Sequence, residues 1–232
     1  MGTKKLSNKG IKQILNTILF KIHVLPFITA LRAFKILEID FGHFYSVIKW
    51  QSIDKNGEPI PWFSYPAIEY LKSLDLSKKL VFEYGSGNST LFWSKQTSGV
   101  TSVENNARWF GLTLKKLEFS KNSQLILEKD RQRYINSINI NKAKYDIIVI
   151  DGEYRFECSC SAINKLKNGG VIILDNSEWF PKISSYLRRH NLVEIDFTGF
   201  GPINPYTTTT SFFISKGFCP KIINNMRHPG SI

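Results

Sequence analysis

The stretch from Leu80 to Thr90 constrains this chain most: Leu-Val-Phe-Glu-Tyr-Gly-Ser-Gly-Asn-Ser-Thr. Leu80 to Phe82 is an apolar strand that runs into an acid, Glu83. Gly85-Ser86-Gly87 then makes a turn, because glycine adopts angles other residues resist and lets a ligand approach the main chain. Asn88, Ser89 and Thr90 suit the N-cap of a helix that begins with Leu91-Phe92-Trp93. Strand, glycine turn and helix N-terminus form the first unit of an open α/β sheet that binds ligand beyond its strand ends.

This loop suits two kinds of ligand. A dinucleotide site asks for Gly-x-Gly-x-x-Gly with the pyrophosphate on the helix N-terminus. Here Thr90 holds the third glycine position, and Glu83 would repel phosphate. An acid there suits a cation, and S-adenosylmethionine carries a sulfonium and an ammonium but no phosphate. Glu104 closes the next apolar run, 104 − 87 = 17 residues after Gly87. A carboxylate there accepts ribose hydroxyls from either ligand, so it does not separate NAD from S-adenosylmethionine.

From Leu80 onward strands and helices alternate. Further strands are expected at Val100–Val103, Gln124–Leu127, Ile147–Ile150, Val171–Leu174, Val193–Thr198 and Thr209–Ile214. Helices are expected over Ala107–Leu117, Phe156–Leu166 and Trp179–Arg189, the second ended by Gly169-Gly170. Ile147-Ile148-Val149-Ile150 is apolar on both faces, as central parallel strands are. Five strand ends carry or closely precede an acid: Glu83, Glu104, Asp130, Asp151 and Asp175. The fold class is α/β, a doubly wound Rossmann-like sheet with an N-terminal helical extension.

Three parts are expected: an extension over 1–58, a ligand-binding domain over 59–218 and a tail over 219–232. Before Glu38 the extension has no acid but carries Lys4, Lys5, Lys9, Lys12, Lys21, Arg32 and Lys35. Ile11, Ile14, Leu15, Ile18, Leu19 and Ile22 recur at helical spacing. This is a basic amphipathic helix, stopped or kinked at Pro26, with a second apolar piece from Phe27 to Leu37. The preferred reading packs its apolar face on the domain or on another subunit. The alternative is peripheral membrane contact through residues 11–37. Phe44 to Ile53 reads as a strand and Asp54 to Gly57 as a turn. In Pro59-Ile-Pro-Trp-Phe-Ser-Tyr-Pro66, ahead of a helix from Ala67 to Leu74, Trp62 and Tyr65 are candidate walls of a substrate pocket.

The net charge of +12 is compatible with an anionic partner or with a lysine-rich solvated surface. Cys158, Cys160 and Cys219 make no disulfide framework and read as reduced thiols of a cytoplasmic protein, the inner face of a membrane being the alternative location.

The combination resembles the class I S-adenosylmethionine-dependent methyltransferases over about Pro59 to Ser215. Phe82-Glu-Tyr-Gly-Ser-Gly87 is similar to the first motif of that family, which lies against the methionine part of the cofactor. Val103-Glu104 matches its ribose-binding acid, and Asp130-Arg131 stands where members contact adenine. Tyr145 to Gly152 matches the motif facing the methyl group, and Lys167 to Val171 the turn before the fifth strand. Pro61 to Pro66, the Asn88-Ser89-Thr90 extension, Asp175-Asn176-Ser177-Glu178 and Thr210 to Phe213 resemble a subgroup from polysaccharide and natural-product gene neighbourhoods. The resemblance implies sheet order 3-2-1-4-5-7-6 with strand seven antiparallel. It also implies a cofactor site of Glu83, Gly85, Ser86, Gly87, Asn88, Ser89, Thr90, Glu104, Asp130 and Asp151.

The acceptor has to be read from the strand ends. Asn-Pro-Pro-Tyr, a mark of amino-group methylation, is absent. Asp151 after the fourth strand suits removal of a hydroxyl proton, so oxygen is the expected acceptor atom, on a sugar, glycan or other small molecule. Arg155 suits an anionic substrate group, or else a salt bridge to Glu157 or Glu178, and Glu178 is a further candidate substrate contact. Asp151, Asp175 and Asn176 could together hold Mg²⁺, as in catechol-type O-methyltransferases; without metal, Asp151 is the general base and Asp175 a helix cap. The catalytic set is thus Asp151, Arg155 and Asp175. An RNA or protein methyltransferase, a non-catalytic membrane or partner module and a nicotinamide dehydrogenase are the competing readings. No RNA-binding appendage is recognisable, so nucleic acid is not the expected partner, and the oligomeric state is left open.

Overall fold

The apolar run of β4 (Tyr145–Ile150) organises the computed structural model, which describes residues 8–21, 24–118, 120–223 and 227–231. β4 pairs in parallel with β1 (Leu80–Tyr84) on one side and β5 (Leu166–Leu174) on the other. Its side chains alternate between two cores. Ile148 and Ile150 join Phe82, Tyr84 and Leu174 in one; Ile147 and Val149 join Val81, Ile173 and Phe212 in the other. Each such fully buried isoleucine contributes about 2 kcal/mol, which is why a strand apolar on both faces sits mid-sheet.

The remaining strands are β2 (Gly99–Glu104), β3 (Ser123–Leu127), β6 (Val193–Phe200) and β7 (Thr207–Ile214). The order is β3-β2-β1-β4-β5-β7-β6, with β7 antiparallel to both neighbours, as the resemblance implies.

The extension contains α1 (Asn8–Lys21), α2 (Val24–Lys35) and α3 (His43–Lys49). α4 (Tyr65–Lys72) and α5 (Asn88–Gln96) cover one sheet face. α6 (Ala107–Lys116) links β2 to β3. α7 (Arg131–Asn136), α8 (Arg155–Lys165) and α9 (Pro181–Arg189) cover the other face.

Several expectations are corrected. Of the stretch Phe44 to Ile53 expected as a strand, Ile53 makes an isolated antiparallel bridge to Pro59, and Phe44 to Lys49 belong to α3. His43 and Ser46, three apart, are its buried residues, and Ser46 Oγ donates to the Ile53 carbonyl at 2.7 Å. Those tertiary bonds outweigh the strand propensity of Phe44, Tyr45, Val47 and Ile48, which stay exposed. The first helix ends at Lys21 rather than Pro26, and Pro26 lies in the first turn of α2, where a missing N–H costs nothing.

The apolar faces of α1 and α2 do not pack on the domain. Among the described residues α2 buries none, and neither core takes a residue from α1 or α2. Among the described residues of the extension, Leu37 and Phe41 pack against the core. Lys4, Lys5 and Ile22 lie outside the described residues.

The helix ahead of β5 ends at Lys165 and runs straight into the strand through an extended Leu166, so Gly169 and Gly170 lie inside β5. There Gly169 has φ +76°, and a Cβ on Gly170 would sit 2.8 Å from the Asp146 carbonyl oxygen. A 3₁₀ turn at Ser177–Trp179 precedes α9, which begins at Pro181 rather than Trp179.

Candidate active site

The glycine turn is held against the loop after β4 by backbone contact. Gly85 has φ +100°, and a Cβ there would lie 3.3 Å from the Asp151 carbonyl group. A Cβ on Gly152 would lie 2.1 Å from Tyr134 Oη and 2.8 Å from Gly85 N. Asp151 N donates to the Tyr84 carbonyl at 3.1 Å, so the two strand ends are tied beneath the turn.

The helix after the turn starts earlier than expected, at Asn88, with Gly87 as N-cap. Thr90 accepts from Gly87 N at 3.1 Å and donates to Glu83 Oε2 at 2.5 Å. Ser102 donates to the same oxygen at 2.8 Å. Glu83 lies under the turn, 1% exposed, and its Oε1 has no hydrogen-bond partner among the described residues. Burial pushes its carboxyl up to about 7, because the charged form has lost its water. Asn88 Nδ2 donates to the Ser52 carbonyl at 2.6 Å, which joins the extension to the turn.

Two cavities open at the strand ends. The first, about 100 Å³, is lined by Ser86, Gly87, Asn88 and Ser89 together with Trp50, Trp62, Trp109 and Asp151. Trp109 Nε1 donates to the Ser86 carbonyl at 2.5 Å, so the indole lies across the turn and narrows the space. The second, about 320 Å³, is lined by Trp62, Asp151, Asp175, Asn176, Trp179, Asn204 and Tyr206. Trp62 and Asp151 belong to both.

Glu104 stands at the end of β2, 7% exposed. Its Oε1 accepts from the amides of Asn105 and Asn106 at 3.0 and 2.9 Å, and its Oε2 accepts from Ser86 Oγ at 2.9 Å. A carboxylate accepts about four hydrogen bonds. One position is therefore open, and a second ribose hydroxyl requires Ser86 Oγ to turn away.

Arg155 pairs with neither Glu157 nor Glu178, the two partners considered from the sequence. Its guanidinium donates to Asp151 Oδ1 at 2.9 Å, to the Asp175 carbonyl at 2.6 Å and to the Gly152 carbonyl at 3.0 Å. Glu157 instead pairs with Arg131, and Glu178 accepts from Thr209 N at 3.0 Å. Arg155 thus braces the loops after β4 and β5. Burial raises the Asp151 carboxyl to about 6, against the opposing pull of Arg155. Asp175, 3% exposed, is pushed well above the ordinary carboxylate range by burial and by the charge of Asp151. Its Oδ1 accepts from Thr210 Oγ1 at 2.6 Å. The Arg155 guanidinium favours the charge on Asp151, and that charge in turn favours the protonated form of Asp175.

Two expected contacts lie elsewhere. Tyr65 turns into the core, its ring 4.7 Å from that of Phe41, and lines a different cavity with Asp40 and Glu69. Asp130 caps α7, accepting from Arg133 N at 2.9 Å. Trp50, Trp109, Trp179, Asn204 and Tyr206 were not singled out from the sequence. The one local signal among them is Trp109, in the first turn of the helix after Glu104. Next to Asn204, Ile203 is held at φ +72°, an unfavourable angle for a β-branched residue and a mark of a constrained site loop.

Asp151, Asp175 and Asn176 do line one cavity, yet they do not fit Mg²⁺. Arg155 already supplies a cation to Asp151, and Asp175 Oδ1 is engaged by the Thr210 hydroxyl. Among the described residues no group of three or more His, Cys, Asp or Glu side chains could hold a metal ion.

No protein-family model matches the sequence, and no curated protein matches it. The fold does match solved structures. An rRNA methylase from Streptococcus thermophilus superposes with a TM-score of 0.53 at 15% identity, over 65% of this chain and 97% of that one. Precorrin-6y C5,15-methyltransferase from Geobacter metallireducens gives 0.54 at 14% identity, over 65% and 87%. An O-methyltransferase from Bacillus cereus in complex with SAH gives 0.52 at 14% identity, over 60% and 74%. The likeness is one of fold.

Proposed function

We propose that this chain, which has the class I methyltransferase fold, moves a methyl group from S-adenosylmethionine to a hydroxyl of a sugar, glycan or similar small acceptor. The observation that carries this reading is the place of Asp151, which lines both cavities and so stands between a donor and an acceptor.

When bound, S-adenosylmethionine supplies a methyl group activated by its sulfonium. The chain must align the acceptor and remove its proton. The backbone of Gly85 to Gly87 would cradle the methionine part, and Glu104 would accept a ribose hydroxyl at its open position. Glu83 beneath the turn has an unpartnered Oε1, and a cation bound above the turn would favour its ionised form. Asp151, ionised above pH about 6, takes the acceptor proton while Arg155 fixes its orientation. Trp62, Trp179 and Tyr206 offer ring faces, and Asn176 and Asn204 offer amides, a composition that suits a hydroxylated ring.

The test is transfer of labelled methyl from S-adenosylmethionine across a panel of sugars and small hydroxylated acceptors. Binding of NAD in calorimetry, with none of S-adenosylmethionine, would overturn the reading.

A further inference from the structure

The helices α1 and α2 present apolar rows that no described residue covers. Ile11, Ile14, Leu15 and Ile18 form the row on α1, each at least half exposed. Phe27, Leu31 and Phe34 continue it on α2, with Phe27 and Phe34 64% and 63% exposed. Helices of 14 and 12 residues are marginal in water by themselves. Their stability normally comes from packing an amphipathic face, which no described residue of the cores supplies here.

Charge selects the occupant of these rows. Between Asn8 and Leu37 stand Lys9, Lys12, Lys21, Arg32 and Lys35, with no acid. A second copy docked through this face would offer these five cations no acid, since the same stretch of the copy carries none. An anionic lipid surface attracts the same five residues. A basic polar side opposite phenylalanine and aliphatic residues is the pattern of a helix lying in the plane of a bilayer. No single described helix is long and apolar enough to cross a membrane; α1 and α2 reach that length and apolarity only together, as a pair bent by 81°.

We infer that α1 and α2 dock the protein on the surface of an anionic bilayer. Phe44 and Ile48 of α3 and Trp50 after it are exposed as well, Trp50 by 70%, and Trp50 also lines the cavity at the glycine turn.

Co-sedimentation of the full chain with vesicles tests this. One set holds phosphatidylcholine and phosphatidylglycerol in equal parts, the other phosphatidylcholine alone. The full chain should sediment with the anionic vesicles at low salt and be released as salt rises. Phe27→Ser with Phe34→Ser should weaken that binding about tenfold or more, and Arg32→Glu with Lys35→Glu by a similar factor. These side chains lie outside both cores, so the thermal midpoint without vesicles should not move. Equal sedimentation of the phenylalanine variant and the parent overturns the inference. So does a dimer in lipid-free solution that dissociates on the Phe27 and Phe34 substitutions, with no vesicle binding by the parent.

Discussion

His43 Nε2 lies 3.1 Å from the carbonyl oxygen of Asn204, 161 positions away in sequence. Nδ1 of the same ring is 3.3 Å from Glu38 Oε2. One imidazole therefore joins the extension to the loop that walls the larger cavity. Replacing it with alanine removes the hydrogen bond to Asn204, worth about 1 kcal/mol. His43→Ala should raise the KM for acceptor roughly fivefold and leave S-adenosylmethionine affinity unchanged. Steady-state kinetics and calorimetry separate the two; an equal loss in both would mean that His43 supports the fold as a whole.

Asp151→Asn keeps shape and loses basicity. Transfer should drop by roughly 10²–10⁴, while calorimetry still finds cofactor binding close to that of the parent. In the parent, the rate should climb as pH rises through about 6, where Asp151 ionises. Arg155 holds that carboxyl down, so Arg155→Met should move the rising limb to higher pH. A limb that stays in place would remove Asp151 from the role of base.

Glu83 gives stability an unusual slope. Folded Glu83 keeps its proton up to about pH 7, whereas in the unfolded chain it ionises near ~4.3. Between those values the folded state binds more protons, so stability falls as pH rises. The size of the effect is about 4 kcal/mol, and Asp151 and Asp175, both raised, act in the same sense. Urea denaturation of Glu83→Gln at several pH values should show a shallower decline than in the parent. An identical decline would mean that Glu83 is ionised when folded.

Activity should survive exhaustive treatment with EDTA, because Arg155 rather than a metal faces Asp151. Loss on chelation with recovery on Mg²⁺ or Mn²⁺ would restore the metal reading that the spacing of Asp151, Asp175 and Asn176 first suggested.

The sheet could be read from the chain because its signals are local. Ile147 to Ile150 is apolar on both faces, and Gly85 to Gly87 follows a strand. α3 could not, since Phe44, Tyr45, Val47 and Ile48 have strand character while the deciding contacts, through His43 and Ser46, are tertiary. The aromatic segment shows the same limit. Trp62 and Tyr65 looked alike in sequence, but Tyr65 opens α4 and is turned into the core with Ile68 and Leu71. Trp50, Trp109 and Tyr206 reach the cavities from three separate loops or helix starts, an arrangement that no spacing encodes.

The placing of β7 between β5 and β6 has a consequence for the order in which this protein can be finished. β6 is made before β7 yet pairs with β7 alone in the sheet, and β5 keeps one edge open until β7 arrives. A nascent chain that has reached Tyr206 therefore exposes the edge of Val171 to Leu174 beside an unpaired β6, the kind of edge that templates aggregation. Asp175 at that stage also lacks the hydroxyl of Thr210. Emergence of a single strand late in synthesis closes the sheet edge and completes the acid pair together, so until then the ribosome carries a domain with neither.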